Sequence, residues 1–129
     1  MFSSHAVINL EGWEGATFYQ EFTWETGDPA EPVDLTDVTA RMQVRADVAD
    51  DDPVFDLTTE NGGIIILSPA TDGKYAIFLT PAQTLGICPD HEKRSLVYDL
   101  FFDHGIDNDT GMQQRGKFTF NPAVTRPKL

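Results

Sequence analysis

The chain has 129 residues, 40% of them hydrophobic and 11% aromatic, which fits one folded domain and argues against general disorder. Its 21 acidic and 9 basic side chains give a formal net charge of −12. Because nucleic-acid binding and attraction to anionic membranes rest mainly on Lys and Arg, this balance argues against both partners. The single cysteine, Cys88, excludes an intrachain disulfide and is expected to be a small buried or half-buried thiol.

The N-terminal segment has neither a basic leader nor a continuous apolar stretch, so a signal peptide is not expected. The longest apolar run, residues 64–67, is far too short to span a bilayer. We therefore expect a soluble protein that is made in a reducing compartment.

The hydrophobic residues recur mainly with a period of two, which predicts β-strands along most of the chain. Residues 1–15 are interpreted as an N-terminal extension or a first strand, in which AVINL is a strand candidate. Residues 16–129 are interpreted as a single β-sandwich domain, whose strands are separated by turn signals such as NGG and TGDPAEP. Besides those discussed next, the predicted strands are 54–58, 64–68, 74–80, 96–102 and 117–120.

Aromatic residues are concentrated in the first quarter of the chain. In ATFYQEFTWE, alternation places Phe18, Phe22 and Trp24 on one side, where core packing is expected. Trp13 and Tyr19 do not belong to this set. Exposure of these two side chains would indicate a surface that binds a partner.

The cleanest alternation lies in VTARMQVR, residues 38–45. Its apolar residues face one way and Thr39, Arg41, Gln43 and Arg45 the other, which is typical of a strand with one buried face. We interpret Arg41, Gln43 and Arg45 as candidate partner-binding residues. The alternative is that they form ion pairs with carboxylates of the same chain or simply face water.

A helical signal is present only in PAQTLGI, residues 81–87. Pro81 fits the first helical position and Thr80 the N-cap, whereas Gly86 and Pro89 end the segment. One short helical turn is therefore expected. Together with seven or eight short strands, the pattern predicts an all-β fold: an antiparallel, immunoglobulin-like β-sandwich with at most one short helical turn.

No recognisable catalytic constellation is present. The chain has no Gly-x-Ser-x-Gly motif and no Cys–His arrangement at the spacing of a known enzyme family. Its three histidines, His5, His91 and His104, lack the spacing of zinc ligands. We predict a protein that is not an enzyme and that uses no cofactor.

The acidic segment around residues 103–111 (DHGIDNDTG) is the best candidate for a cation site. Asp107 and Asp109 alternate as at the start of an EF-hand loop, and Asp103 is nearby. However, the glycine falls at the fifth place, and Phe118 occupies the place of the bidentate glutamate. A hairpin loop that uses Asn, Asp and Gly explains the segment better, so no metal is expected.

Several motifs follow one another in a fixed order: TFYQEFTW, PVDLTDVTARMQVR, VFDLTTENGGIIIL, GKYAIFLTPAQT, YDLFF and FTFNPAVTRP. This series, from about Ala16 to Pro127, resembles small structural proteins of the tail and baseplate regions of tailed bacteriophages and prophages. It is also similar to the N-terminal domain of phage baseplate upper proteins. Where such proteins often have DLTG, this chain has DLTD, so Asp37 occupies a turn position that glycine would favour.

The resemblance implies an immunoglobulin-like sandwich in the virion, made in the host cytoplasm and without catalytic residues. It implies an adaptor or decoration subunit at the tail/baseplate–fibre junction, present as a symmetric multimer. Its partners would be other phage tail, baseplate or fibre proteins. The alternative function is a carbohydrate-binding β-sandwich module, assisted by calcium at residues 103–111 and by exposed Trp13 or Tyr19.

Overall fold

The computed structural model describes residues 6–104 and 109–125. The protein is 52% strand and 6% helical, which confirms the all-β prediction. The helical residues form a 3-10 turn at Ala70–Asp72 and one α-helical turn, α1, at Pro81–Thr84. In chain order the strands are β1 (Ala6–Val7), β2 (Leu10–Trp13), β3 (Phe18–Thr23), β4 (Glu25–Thr26), β5 (Glu31–Pro32), β6 (Val38–Arg45), β7 (Phe55–Thr58), β8 (Ile64–Ile66), β9 (Lys74–Leu79), β10 (Arg94–His104) and β11 (Asp109–Asn121).

The strand order is that of an immunoglobulin-like sandwich. The large sheet runs β1-β11-β10-β6-β7, with β2 also paired to β11, and the small sheet runs β3-β9-β8. Strands β11, β10, β6 and β7 follow the G-F-C-C′ order of immunoglobulin domains, and strands β3, β9 and β8 follow the B-E-D order. β4 and β5 form a separate two-stranded hairpin. The sandwich prediction is therefore confirmed, with one difference from a purely antiparallel arrangement: β1 and β2 run parallel to β11.

The core lies between the two sheets and is rich in aromatic rings. Phe18 of the small sheet lies 4.8 Å from Phe118 of the large sheet, measured between ring centroids. Trp24 stacks on Phe102 at 5.4 Å. Phe18 is buried, and Phe22 and Trp24 are partly buried against the core, as alternation predicted. Cys88 is also buried.

The helical turn α1 forms as its sequence predicts. Thr80 is the N-cap and forms a capping box with Gln83, and Pro81 lies in the first turn. Asp37 has φ 60°, in the left-handed region that glycine favours. In the described part of the chain, no helix is long and apolar enough to cross a membrane.

The N-terminal strands are attached closely to β11. The Ile8 N–H donates to the carbonyl oxygen of Arg115 at 2.8 Å, and the Tyr98 hydroxyl donates to the Ile8 carbonyl oxygen at 2.6 Å. A Cβ atom on Gly116 would lie only 2.2 Å from that same oxygen. Glycine at position 116 therefore allows the N-terminal segment to pack beside β11.

A candidate docking face on the large sheet

The outer face of the large sheet, turned away from the small sheet, carries a concentrated set of charges. Strands β6, β10 and β11 present alternate side chains there, and pairing brings these into rows across the sheet. Four of the chain's 9 basic residues lie on these strands with outward-facing side chains: Arg41, Arg45, Arg115 and Lys117. Two adjacent rows are Arg45–Val97–Lys117 and Gln43–Asp99–Arg115.

These two rows form the floor of a shallow depression of about 560 Å³. We call it the outer depression. Its rims carry two exposed valines, Val7 beside β11 and Val48 beyond the end of β6, which are 63% and 82% exposed. Its lining residues are Val7, Asn9, Gln43, Arg45, Val48, Val97, Tyr98, Asp99, Met112, Arg115, Gly116 and Lys117.

Arg45 is held in place by the loop that follows its strand. Its Nη1 atom donates to the carbonyl oxygens of Asp50 and Asp51, both at 3.0 Å. Its Nη2 atom donates to Gln43 Oε1 at 2.6 Å. The guanidinium thus binds the backbone of the acidic loop and fixes Gln43 as a second polar group on the floor of the depression.

Asp99 supplies the one carboxylate of the lining and is half-buried. Partial desolvation raises the pKa of this carboxyl, whereas the positive charge of Arg45 acts in the opposite direction. Desolvation is the larger effect. Three cations against one carboxylate give the lining a positive balance in a chain of strongly negative net charge.

Arg41, which the sequence analysis grouped with Gln43 and Arg45, is engaged outside the depression. Its Nη2 atom lies 2.9 Å from Asp56 Oδ2, and its Nε atom donates to Asp56 Oδ1 at 3.2 Å. Gln43 Nε2 donates to the same carboxylate at 3.2 Å. The hydrogen bond from Arg41 lowers the pKa of Asp56 and raises that of Arg41. At Arg41 the structure thus has the intramolecular ion pair that was the alternative to docking.

The two aromatic candidates lie apart. Trp13 is 56% exposed at the end of β2, in the large sheet. Tyr19 is 48% exposed on β3, in the small sheet, where its hydroxyl donates to Glu21 Oε2 at 2.7 Å. The structure therefore does not bring Trp13 and Tyr19 together into one aromatic platform.

The candidate cation ligands can be placed only in part. Asp103 is half-buried near the end of β10 and pairs with Thr39 of β6 and Thr110 of β11. Asp107 lies outside the described residues, and Asp109 is described only as the backbone start of β11. Within residues 6–104 and 109–125, no group of three or more His, Cys, Asp or Glu side chains is placed to hold a metal ion.

Half of the docking face was missed by reasoning from the sequence. Arg115 escaped because the polar run GMQQRGK gives no apolar alternation, so β11 was predicted only from residue 117. Asp99 lies on the predicted strand 96–102 but was not recognised as part of this face. A register shift between Leu100 and Phe101 interrupts the pairing of β10 with β11 there. The available signal was the alternation of basic residues at 115 and 117.

Comparison with known proteins adds no assignment. No protein-family model matches the chain, and no curated protein sequence matches it either. The candidate face is therefore defined by the residues and contacts of this chain.

Proposed function

We propose that this chain is a non-enzymatic structural subunit of a tailed-bacteriophage virion. In this proposal it is an adaptor or decoration subunit at the tail/baseplate–fibre junction, present in several symmetric copies and made in the host cytoplasm. It binds neighbouring tail, baseplate or fibre proteins through the outer face of its large sheet.

The observation that carries the proposal is the outer depression. Its floor combines the apolar Val97 with Arg45 and Lys117, and exposed valines form its rims. Protein interfaces are enriched in Arg and combine apolar with polar groups. A positive concave surface on a chain of net charge −12 is also suited to a partner with acidic groups, since opposite potentials steer association.

Two further points support the proposal. The ordered motifs resemble those of phage tail and baseplate proteins, and they include the strands that build both sheets. A rigid sandwich is also a suitable carrier for a docking face, because both rows of the depression lie on hydrogen-bonded strands and not on loops.

The direct test is the composition of purified particles. Mass spectrometry and cryo-electron microscopy of mature virions are expected to find this chain in a fixed number of copies per tail or baseplate. Its absence from mature particles would show that the proposal is wrong.

A matched pair of variants tests the face itself. Lys117→Glu reverses a charge in the depression, whereas Lys74→Glu makes the same change on β9 of the small sheet, where Lys74 is exposed. We expect incorporation into particles to fall about tenfold for Lys117→Glu, equivalent to roughly 1.4 kcal/mol of contact energy, and to stay unchanged for Lys74→Glu. Equal incorporation of both variants would assign docking to another surface.

The carbohydrate-binding alternative uses different residues. It predicts that glycan binding depends on Trp13 or Tyr19, and the two lie in different sheets. Binding on a glycan array that is lost in Trp13→Ala and kept in Lys117→Glu would favour that alternative over docking through the depression.

A further inference from the structure

The β4–β5 hairpin is an exposed acidic projection of the described chain. It spans residues 25–32, ETGDPAEP, and all eight of these residues are exposed. Three of them, Glu25, Asp28 and Glu31, carry carboxylates, and none is basic. The remaining side chains are small or compact, so the hairpin is an exposed, negatively charged element.

The base of the hairpin and the outer depression lie on opposite faces of the large sheet. Trp24, directly before β4, stacks on Phe102 and contacts His104 near the end of β10. The depression contains Val97, near the start of that strand. Phe102 is fully buried on the inner face of the large sheet, whereas Val97 and Asp99 lie on the outer face, in the depression. The base of the hairpin is also fixed, since the Trp24 N–H donates to Gly73 and the Val33 N–H donates to Trp24. The hairpin therefore does not reach the depression of its own chain.

The charges around the depression are unevenly distributed. On the β11 side lie Arg115 and Lys117, both exposed, and Lys117 has no ion-pair partner within the described ranges. On the β6 side, the loop 46–53 carries four aspartates beyond Arg45. An acidic occupant is thus attracted to the β11 side and repelled from the loop, which gives it one preferred position.

We propose that the outer depression of one copy of this chain receives the β4–β5 hairpin of a second copy. The hairpin carboxylates lie against Arg115 and Lys117, and its prolines pack on Val7 and Val97. This inference deepens the proposed function, because it names the occupant of the outer depression. It rests on the proposed function only for its biological setting. The contact joins two different surfaces of the chain, so repetition gives a closed ring or an open filament.

The dimensions are compatible with this occupant. The depression, at about 560 Å³, lies within the range of roughly 300–1,000 Å³ that is usual for binding pockets. Its open shape accepts a chain segment that stays attached to a folded domain. The contact is small and depends on charge, so we expect it to be weakened by salt, which screens exposed charges beyond about 10 Å at 0.1 M.

Charge reversal on each side tests the contact with the purified full chain. The hairpin variant is Glu25→Lys with Glu31→Lys, the depression variant is Arg115→Glu with Lys117→Glu, and the combined variant carries all these changes. Single Lys117→Glu is a milder depression variant in case the double change disturbs β11. Lys93→Glu and Glu92→Lys, both exposed and outside the hairpin and the lining of the depression, are the matched controls.

Sedimentation velocity over a range of protein concentrations gives the outcome. At about 50 mM salt, we expect the wild-type chain and both controls to self-associate, each one-sided variant to bind at least about tenfold more weakly, and the combined variant to recover. A wild-type chain that stays monomeric, or hairpin variants that associate like the wild type, would overturn the inference. These results leave the particle test of the proposed function untouched, and absence from particles leaves the self-association untouched, so the two can fail separately.

Discussion

The two faces of the large sheet are built from the same strands, yet different physical effects determine them. On the inner face, Met42, Leu100 and Phe118 are fully buried against the small sheet. On the outer face, the alternating residues of the same strands form the charged rows around Asp99. Burial of apolar area determines the inner residues, whereas pairing between polar groups determines the outer ones. The inner face should therefore control stability and the outer face binding.

The largest expected effect comes from removing an inner aromatic ring. Phe118→Ala should lower the free energy of unfolding by about 3–5 kcal/mol, because it leaves a cavity among Phe18, Tyr98 and Phe120. Urea unfolding followed by fluorescence measures the change.

The matched control is Phe101→Ala, a ring of the same type on the outer face that is 36% exposed. It should cost less than half as much as Phe118→Ala. Equal losses from the two variants would contradict the division of roles between the faces.

The inner face was the part that the sequence could predict. Alternation in VTARMQVR placed β6 at Val38–Arg45, and its four apolar residues are buried as expected. The turn α1 was predictable because its cap, its proline and its terminating glycine are local signals. The outer face was only half predictable, because Arg41 binds a residue of a neighbouring strand and Arg45 binds the backbone of a loop. No local sequence pattern shows which residues will be paired in this way.

β11 shows the limit most clearly. Its buried polar residues Gln113 and Gln114 remove the period-two signal, and only the fold explains their burial. The Tyr75 hydroxyl donates to Gln114 Oε1, and Gln114 Nε2 donates to the Tyr98 hydroxyl at 3.0 Å. Burial raises the pKa of both tyrosines, so both stay protonated at neutral pH. A polar network that joins residues far apart in the chain has no signature in any short segment.

The next largest effect tests the buried network of Tyr75, Gln114 and Tyr98, which is a polar exception on the otherwise apolar inner face. Tyr98→Phe removes the hydroxyl that donates to the Ile8 carbonyl and accepts from Gln114. We expect a loss of about 1–3 kcal/mol, because buried polar groups are left without partners. Hydrogen exchange should also become faster at the Ile8 amide.

Tyr19→Phe is the control for that change. It deletes the same atom from an exposed tyrosine that donates to Glu21, and it should leave the unfolding midpoint unchanged. If Tyr98→Phe were equally silent, the network would not be what attaches the N-terminal strands to the core.

The smallest effects concern two carboxylates of the outer face whose pKa values are shifted in opposite directions. The pKa of Asp99 is raised from 3.8, chiefly by desolvation, so the folded state binds this proton more tightly than the unfolded state. Its ionisation therefore costs stability as the pH rises through the interval above 3.8. The pKa of Asp56 is lowered, chiefly by the hydrogen bond from Arg41, so its contribution is present above 3.8 and is lost as the pH falls through the folded value.

Replacing each carboxylate by its amide separates these two effects on one surface. At pH 7, Asp99→Asn should raise Tm and Asp56→Asn should lower it, each by roughly 1–3 °C for a domain of this size. Both differences from the wild type should shrink as the pH is lowered, because protonation makes the wild-type carboxyl resemble the amide. Calorimetry of the three proteins between pH 7 and the acidic range measures the sign of both Tm differences.

Asp99→Asn with a lower Tm at pH 7 would mean that the Asp99 carboxylate is stabilised by its cationic neighbours more than it is destabilised by burial. The outer depression would then be electrostatically satisfied within one chain, and its attraction for an acidic partner would be correspondingly weaker.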